Sequence, residues 1–373
     1  MKVLLVSGIF FPDVGGPATH VRNIAEHFSS IGWKVTVVAF GDYSEVEKGY
    51  RVIRVSRRMP RIVSWKMYAL TIFIQALRHN VLYAFDLTSG GLPAALASLI
   101  FRKPLLLRIG GDPIWERVVE RGERHLSFVE YYRHNFYRTD RPFLFWAQRF
   151  VVGRASRIVT YTDMIKDVYV AHYGADSRLM TSIKNPFGVV REHVTREVGT
   201  FTFLFAGRFV LYKNLIRVIR AFARVQGRHP TARLMFAGEG PEERVLRKEA
   251  NALHVPLTII PKVDKEHLYT LIRQSSVSLA PALTEFNPNF IMETLALGKP
   301  ALISRGNGLS VRLPNYMQFD SESDNDLESA LLRMLEHDTY EQALAYVASL
   351  GVEYRWEDVL AAHESLVRQV LKA

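Results

Sequence analysis

The residues best suited to chemistry lie where short apolar runs give way to glycine, proline or charge. In Phe205-Ala206-Gly207-Arg208, followed by Lys213 and Asn214, a guanidinium and an ammonium share one strand end. Such a pair would clamp a diphosphate, or it is two surface cations. The stretch from Pro281 to Glu293 places two carboxylates, Glu285 and Glu293, eight residues apart, the first in a loop and the second two turns into a helix. Carboxylates in so apolar a setting need partners, and sugar or ribose hydroxyls are suitable donors. The helix start at Asn287, Asn289 and Phe290 offers N–H groups to a phosphate. Gly15 and Gly16, then Gly238 and Gly240 ahead of Pro241, open two further strand-to-helix turns where glycine lets backbone approach an anion. Both are equally plain turns, and neither fits the dinucleotide or Walker pattern. Asp112, in Gly110-Gly111-Asp112-Pro113, either caps the helix that Pro113 starts or orients a substrate group.

The elements that must hold these residues are legible as an alternation. Short apolar, β-branched runs at 2–7, 34–39, 51–55, 81–85, 104–109 and 157–161 alternate with segments of helical period. The alternation restarts with runs at 201–206, 232–237, 257–260, 277–280 and 300–304. Strands apolar on both sides imply parallel sheets covered on both faces, and two such series imply two doubly wound domains. Asn185 to Gly199, with its turn residues and polar stretch, reads as the linker. Ligands of such sheets bind at the carboxyl ends of strands, so two facing domains would place the site in a cleft between them.

Composition narrows the class. The chain has 373 residues, 48% hydrophobic and 23% charged, which excludes disorder, collagen and coiled coil. It has no cysteine, hence no disulfide framework, thiolate zinc site or cysteine nucleophile. No His/Asp/Glu cluster has metal-ligand spacing, and the acidic stretch from Asp320 to Glu328 lacks a calcium-loop pattern. Residues 1–200 hold 28 Lys+Arg against 17 Asp+Glu, and residues 201–373 hold 20 of each, so the whole net charge of +11 sits in the first half. That asymmetry suits an anionic partner, or simply solubility. Arg51 to Arg61, Ile62 to Arg78, and Tyr131 to Arg157 interleave basic and aromatic residues, which suits an interface with anionic lipid or, equally, core aromatics beside solvated arginines. No apolar run is long enough to span a bilayer, and the first residues read as a strand rather than a signal peptide. The expected location is the cytoplasm, peripheral at the inner face of the cell membrane.

The order and spacing of these pieces resemble the retaining, nucleotide-sugar-dependent glycosyltransferases of the GT-B fold, family four (group 1), over essentially the whole chain. The resemblance rests on Gly15-Gly16, Gly207-Arg208 with Lys213-Asn214, Gly238-x-Gly240-Pro241, and Glu285-x7-Glu293 with Leu297-Gly298-Lys299-Pro300. It implies an α/β architecture of two Rossmann-like domains facing a central cleft. Residues 1–187 would form the acceptor domain and 188–355 the donor domain, with a final helix, 356–373, crossing back to the first. By the same resemblance, Gly15 and Gly16 would face the donor, Arg208 and Lys213 would neutralise the leaving diphosphate, Glu293 would hold the ribose, and Glu285 would contact the sugar. Gly207, Gly238, Gly240, Asn287, Asn289 and Phe290 complete the expected donor site, with Asp112 as a further catalytic candidate where many relatives carry a histidine. Many members also have Glu-Gly-Phe-Gly where this chain has Glu285-Phe286-Asn287-Pro288, and Pro288 has no N–H to donate. The implied reaction moves a hexosyl group to a hydroxyl of a lipid-linked or cell-envelope glycan, as in polysaccharide biosynthesis, with no cofactor and no metal. The alternatives are a nucleotide-sugar epimerase of the same fold and, on charge alone, a nucleic-acid-binding module. No recognition helix, zinc finger or RNP-type motif supports the second alternative, so no nucleic acid is expected as a partner.

Overall fold

The computed structural model describes residues 1–13, 16–43, 49–186, 200–309, 311–350 and 355–372. The chain divides into two compact units, Met1–Ile114 with His134–Asn185 and Trp356–Ala373, and Trp115–Arg133 with Pro186–Arg355.

The first unit opens with β1 (Lys2–Ser7), α1 (Gly16–Ser30), β2 (Lys34–Phe40), β3 (Arg51–Val55), α2 (Arg61–Ala76), β4 (Val81–Ala84), α3 (Gly91–Ile100) and β5 (Leu105–Ile109). The chain continues through α4 (Pro113–Glu120), α5 (Phe128–Arg133), α6 (Tyr137–Asp140), α7 (Pro142–Arg154), β6 (Arg157–Thr160), α8 (Asp163–Val168) and β7 (Met180–Ser182). Every strand pairing in this sheet is parallel, in the order β3-β2-β1-β4-β5-β6-β7. The central strands are buried on both faces, which is why Val3–Val6, Val81–Ala84 and Leu105–Leu107 read as unbroken apolar runs. From β1 the chain steps to β2 and β3, then returns past β1 to β4 and onward. Right-handed crossovers therefore put α1 on one face and α2, α3 and α7 on the other. There α3 packs between α2 and α7, while α1 packs against the last helix, α15 (Trp356–Lys372). Val359, His363 and Val367 bury the inner side of α15, and the Tyr83 hydroxyl lies 2.7 Å from His363 Nδ1. The expected return of the final helix to the first domain is thus observed.

The second unit contains β8 (Thr202–Ala206), α9 (Leu215–Gln226), β9 (Arg233–Ala237), α10 (Glu243–Ala252), β10 (Leu257–Ile260), α11 (Lys265–Gln274), β11 (Val277–Ala280) and α12 (Asn289–Ala296). After these come β12 (Ala301–Ser304), β13 (Gln318–Phe319), α13 (Asp324–Leu335) and α14 (His337–Ser349). Its sheet is parallel too, ordered β10-β9-β8-β11-β12-β13. The strand order reverses between β8 and β11, the place where such sheets open to a ligand at their carboxyl ends.

Two expectations need adjustment. The short edge strands β7 and β13 were not anticipated, because three and two partly polar residues carry no periodicity. The first domain was also expected to run unbroken to residue 187, a boundary that itself falls outside the described residues. Instead Trp115–Arg133 belongs to the second unit. The indole of Trp115 lies 5.7 Å from the Tyr212 ring and 5.4 Å from that of Phe286, and Phe128 packs 4.9 Å from Phe286. Burying this aromatic set outweighs continuity along the sequence.

Candidate functional site

At the carboxyl ends of β8 and β11 lies a cavity of about 190 Å³, lined among others by Ala206, Lys213, Glu285, Asn287, Asn289 and Phe290. It therefore opens at the reversal point of the second sheet. Its lining comes from the β8 and β11 strand ends and loops, which backbone hydrogen bonds stitch to each other and to the β9 and β12 loops. The Leu283 N–H donates to the Tyr212 carbonyl at 2.9 Å, and the Gly308 N–H donates to the Glu285 carbonyl at 2.6 Å. Phe209 N–H donates to the Glu239 carbonyl at 2.9 Å, and Glu242 N–H returns to the Phe209 carbonyl at 3.1 Å.

Lys213 ends a single tight turn, Leu211–Lys213, closed by Asn214 in the left-handed conformation at φ 61°. Asparagine tolerates that conformation better than most residues. The Asn214 amide donates to the Ser321 carbonyl at 2.9 Å and anchors the turn. The Lys213 ammonium then reaches Glu285 Oε1 at 2.5 Å, with both side chains largely buried. Burial pulls the Lys213 pKa down, the Glu285 and Tyr212 side chains push it up, and the balance lies above the ordinary lysine value. The ammonium is therefore charged at any physiological pH. Beside this pair stands the start of α12, whose first N–H groups have no partner within the helix. Asn287 and Asn289 flank that start, with the Asn287 amide donating to Asn289 Oδ1 at 3.0 Å. A cation, a carboxylate and a helix N-terminus around one small cavity suit a ligand that bears both hydroxyls and an anion.

Arg208 and Glu293 do not line this cavity. The exposed Arg208 guanidinium donates to Glu120 Oε1 at 2.7 Å, so α4 supplies its counter-charge. Glu293 sits on α12 with Lys265 of α11 3.8 Å away. Burial raises the Glu293 carboxyl pKa above its usual value against the pull of Lys265. Sequence reasoning missed both Glu120 and Lys265. They lie 88 and 28 residues from their partners, and no spacing rule connects positions so far apart.

The glycines divide by the space around them. A Cβ on Gly238 would stand 2.0 Å from the Gly207 carbonyl oxygen, and one on Gly240 would stand 2.3 Å from that of Phe209. Their lack of a side chain is thus required by loop packing, whatever ligand approaches. Gly207 joins the same stitching through its N–H to the Ala237 carbonyl at 2.9 Å. Gly16, the first residue of α1, has open space where a Cβ would be, and Gly15 lies outside the described residues.

Asp112 does not have the environment expected of a catalytic group. It is fully buried in the first unit, where Oδ1 accepts from the Ile114 N–H and Oδ2 from the Tyr169 hydroxyl, each at 3.0 Å. Both oxygens are engaged in capping α4 and holding Tyr169, so the capping alternative is the one realised. Among the described residues no group of three or more His, Asp or Glu is placed to hold a metal ion.

The family model for glycosyl transferases group 1 matches residues 179–349, and that for glycosyltransferase family 4 matches residues 14–189. A GDP-mannose-dependent alpha-(1-6)-phosphatidylinositol dimannoside mannosyltransferase of Mycobacterium tuberculosis is 34% identical over 104 residues, 28% of this chain and 27% of that protein. An uncharacterised glycosyltransferase of Haemophilus influenzae is 25% identical over 151 residues, 40% of this chain. The chain thus spans only 27% and 42% of the length of these curated relatives. Among solved structures, a protein of Anabaena crystallised with UDP superposes over 100% of both chains with a TM-score of 0.73 at 14% identity. That likeness is one of fold.

Proposed function

We propose that this chain, which belongs to the group 1 and family 4 glycosyltransferases and has their GT-B fold, moves a hexosyl group from a nucleoside-diphosphate sugar to a hydroxyl on a lipid-linked or cell-envelope glycan. The observation that carries this reading is the meeting of Lys213, Glu285 and the α12 N-terminus on one cavity at the reversal point of the second sheet. The UDP in the Anabaena structure supports a nucleoside diphosphate as leaving group. The phosphatidylinositol dimannoside in the name of the mycobacterial relative supports a lipid-borne acceptor. The comparisons lend nothing to the epimerase alternative.

In this reading the anomeric carbon loses its bond to the β-phosphate oxygen and gains one to the acceptor oxygen on the same face, with retention. The acceptor proton passes to the departing phosphate oxygen. Negative charge grows on that phosphate, and Lys213, Arg208 and the α12 N–H groups stabilise it in the role a metal ion would otherwise fill. Arg208 exchanges Glu120 for the diphosphate, and that exchange is easy because an exposed ion pair is worth little. Glu285 holds sugar hydroxyls and Glu293 those of the ribose. Gly207, Asn287, Asn289 and Phe290 shape the donor pocket around them.

Thermal unfolding with UDP, GDP, ADP and their sugar conjugates tests this directly. A ligand at about 100 times its Kd adds about 2.7 kcal/mol, so one diphosphate should raise the midpoint and Glu293→Ala should abolish the rise. If no nucleotide stabilises the protein, the transferase reading fails. The anomeric configuration of the product and the rate in EDTA then test retention and metal independence. Inversion, or a rate lost to EDTA and restored by magnesium, would overturn those two assignments.

A further inference from the structure

The helical layer on one face of the first sheet has an apolar outer surface as well as an apolar inner one. On α2, Tyr68 and Ile72 point to the core, while Val63, Met67, Leu70, Ile74 and, just beyond the helix, Leu77 form a second stripe in solvent. Its spacing of four, three, four and three residues keeps that stripe on one side of the helix. Leu96, Leu99 and Ile100 do the same on α3, and Phe143, Trp146 and Phe150 on α7. Because α3 packs between α2 and α7, the three stripes are neighbours. Ile62 is 70% exposed, Trp146 61% and Phe143 90%. Of the 20 large hydrophobic residues exposed among the described residues, 13 lie on these helices or at the end of α2. So concentrated a patch marks an interaction surface.

Charge says what covers it. None of the three helices contains an aspartate or glutamate. The exposed Arg61, Lys66, Arg78, Arg102 and Arg149 are set among the stripes, and the Arg149 guanidinium lies 5.4 Å from the centre of the Trp146 ring. A second copy meeting this face about a two-fold axis would set its cations against the same cations, with no acidic residue on the three helices to pair them. Among the described residues no helix is long and apolar enough to cross a membrane.

We propose that the α2–α3–α7 face docks on an anionic phospholipid surface, with Phe143, Trp146 and Ile62 entering the headgroup–acyl boundary and the arginines and lysines lying on the phosphates. The basic and aromatic stretches of the sequence are thereby reassigned. Arg54 donates to the Phe11 carbonyl at 2.7 Å, and Tyr131, Tyr132 and Tyr137 are buried, so none of these meets lipid.

The docking face deepens the lipid-linked acceptor reading, but lipid binding can be measured without donor or acceptor. The full chain would be co-sedimented with phosphatidylcholine vesicles, alone or carrying about 30 mol % phosphatidylglycerol. Binding should require the anionic lipid. Phe143→Asp with Trp146→Asp should weaken partitioning at least about tenfold, and Lys66→Glu with Arg149→Glu should remove the preference for phosphatidylglycerol. All four sites are exposed, so circular dichroism should report an unchanged fold. Equal binding to both vesicles, binding untouched by the aspartates, or a wild-type dimer that the aspartates dissociate would each overturn the proposal. The nucleotide-induced thermal shift should be the same in the aspartate variant as in wild type. Loss of that shift in both proteins would count against the transferase reading instead.

Discussion

At Lys213 stability and function make separate demands. Its ammonium and the Glu285 carboxylate are buried as a pair, and the attraction between them offsets the cost of removing both from water. Lys213→Met leaves Glu285 uncompensated and should lower the unfolding free energy by about 3 kcal/mol. Adding Glu285→Gln should recover most of that loss while glycosyl transfer stays abolished. Urea unfolding beside a product assay would test it, and a double variant no more stable than the single one would show that the two charges do not act as a unit. Glu293 presents the opposite case. Its pKa is raised in the folded protein, so the folded state binds a proton more readily than the unfolded chain does. Stability from this group is present below the ordinary carboxyl value and falls as pH rises through the raised one. Glu293→Gln should therefore gain stability at pH 7 and none at about pH 4, while weakening nucleotide affinity. Calorimetry at both pH values with a nucleotide titration would check this, and equal gains at both would exclude the carboxylate as the cause.

Among the elements, loops rather than helices or strands position the site. The β8, β9 and β11 loops are joined by backbone hydrogen bonds, so a disturbance in one moves the others. Gly240→Ala would force a Cβ against the Phe209 backbone, which cannot swing aside as a flexible side chain can. It should cost about 2 kcal/mol and lower the transfer rate by displacing the turn that carries Lys213. Gly16→Ala meets open space at a helix start, and alanine is the better helix former, so stability should change by less than about 0.5 kcal/mol. If activity nonetheless falls in Gly16→Ala, a ligand requires that glycine. If activity is unchanged, the donor-facing role for Gly16 is wrong. Denaturation midpoints and kcat for the two variants are the needed measurements.

For the whole molecule, two features rest on residues far apart in the chain. One is the docking of α15 on the first unit, which buries His363 near His20 and Arg108. Burial and, next, the Arg108 charge hold both imidazoles well below the ordinary histidine pKa. They are neutral in the folded protein and protonate on unfolding, so stability is present above about pH 6.5 and is lost as pH falls below it. As pH falls from about 6.5 to about 5 this pair should steepen the loss of stability, and His363→Gln should lessen that slope. Thermal midpoints recorded across that range would show this, and an identical slope in the variant would refute it. The other feature is the charge division, in which residues 1–200 carry the whole net +11. The acid-free helices α2 and α7 draw on that excess through Arg61, Lys66 and Arg149, and Arg102 adds to it just beyond α3.

Alternating apolar runs and helical periods sufficed for two parallel α/β sheets, because burial on both faces leaves a local signature in every central strand. Lys213, Glu285 and the helix-start asparagines that line the cavity were legible for a similar reason. Strand-to-helix turns impose residue types on neighbours in sequence, so Lys213, Glu285 and the α12 start could be expected close to a ligand. Partners were not legible. That Glu120 neutralises Arg208, that Lys265 stands by Glu293, and that Trp115–Arg133 leaves its own half of the chain all depend on contacts between distant segments. The aromatic-rich stretches mark the limit most clearly: one composition contains the buried Tyr131 and the nearly naked Phe143, and only the packing of helices on a sheet decides which side chain faces the core and which faces water.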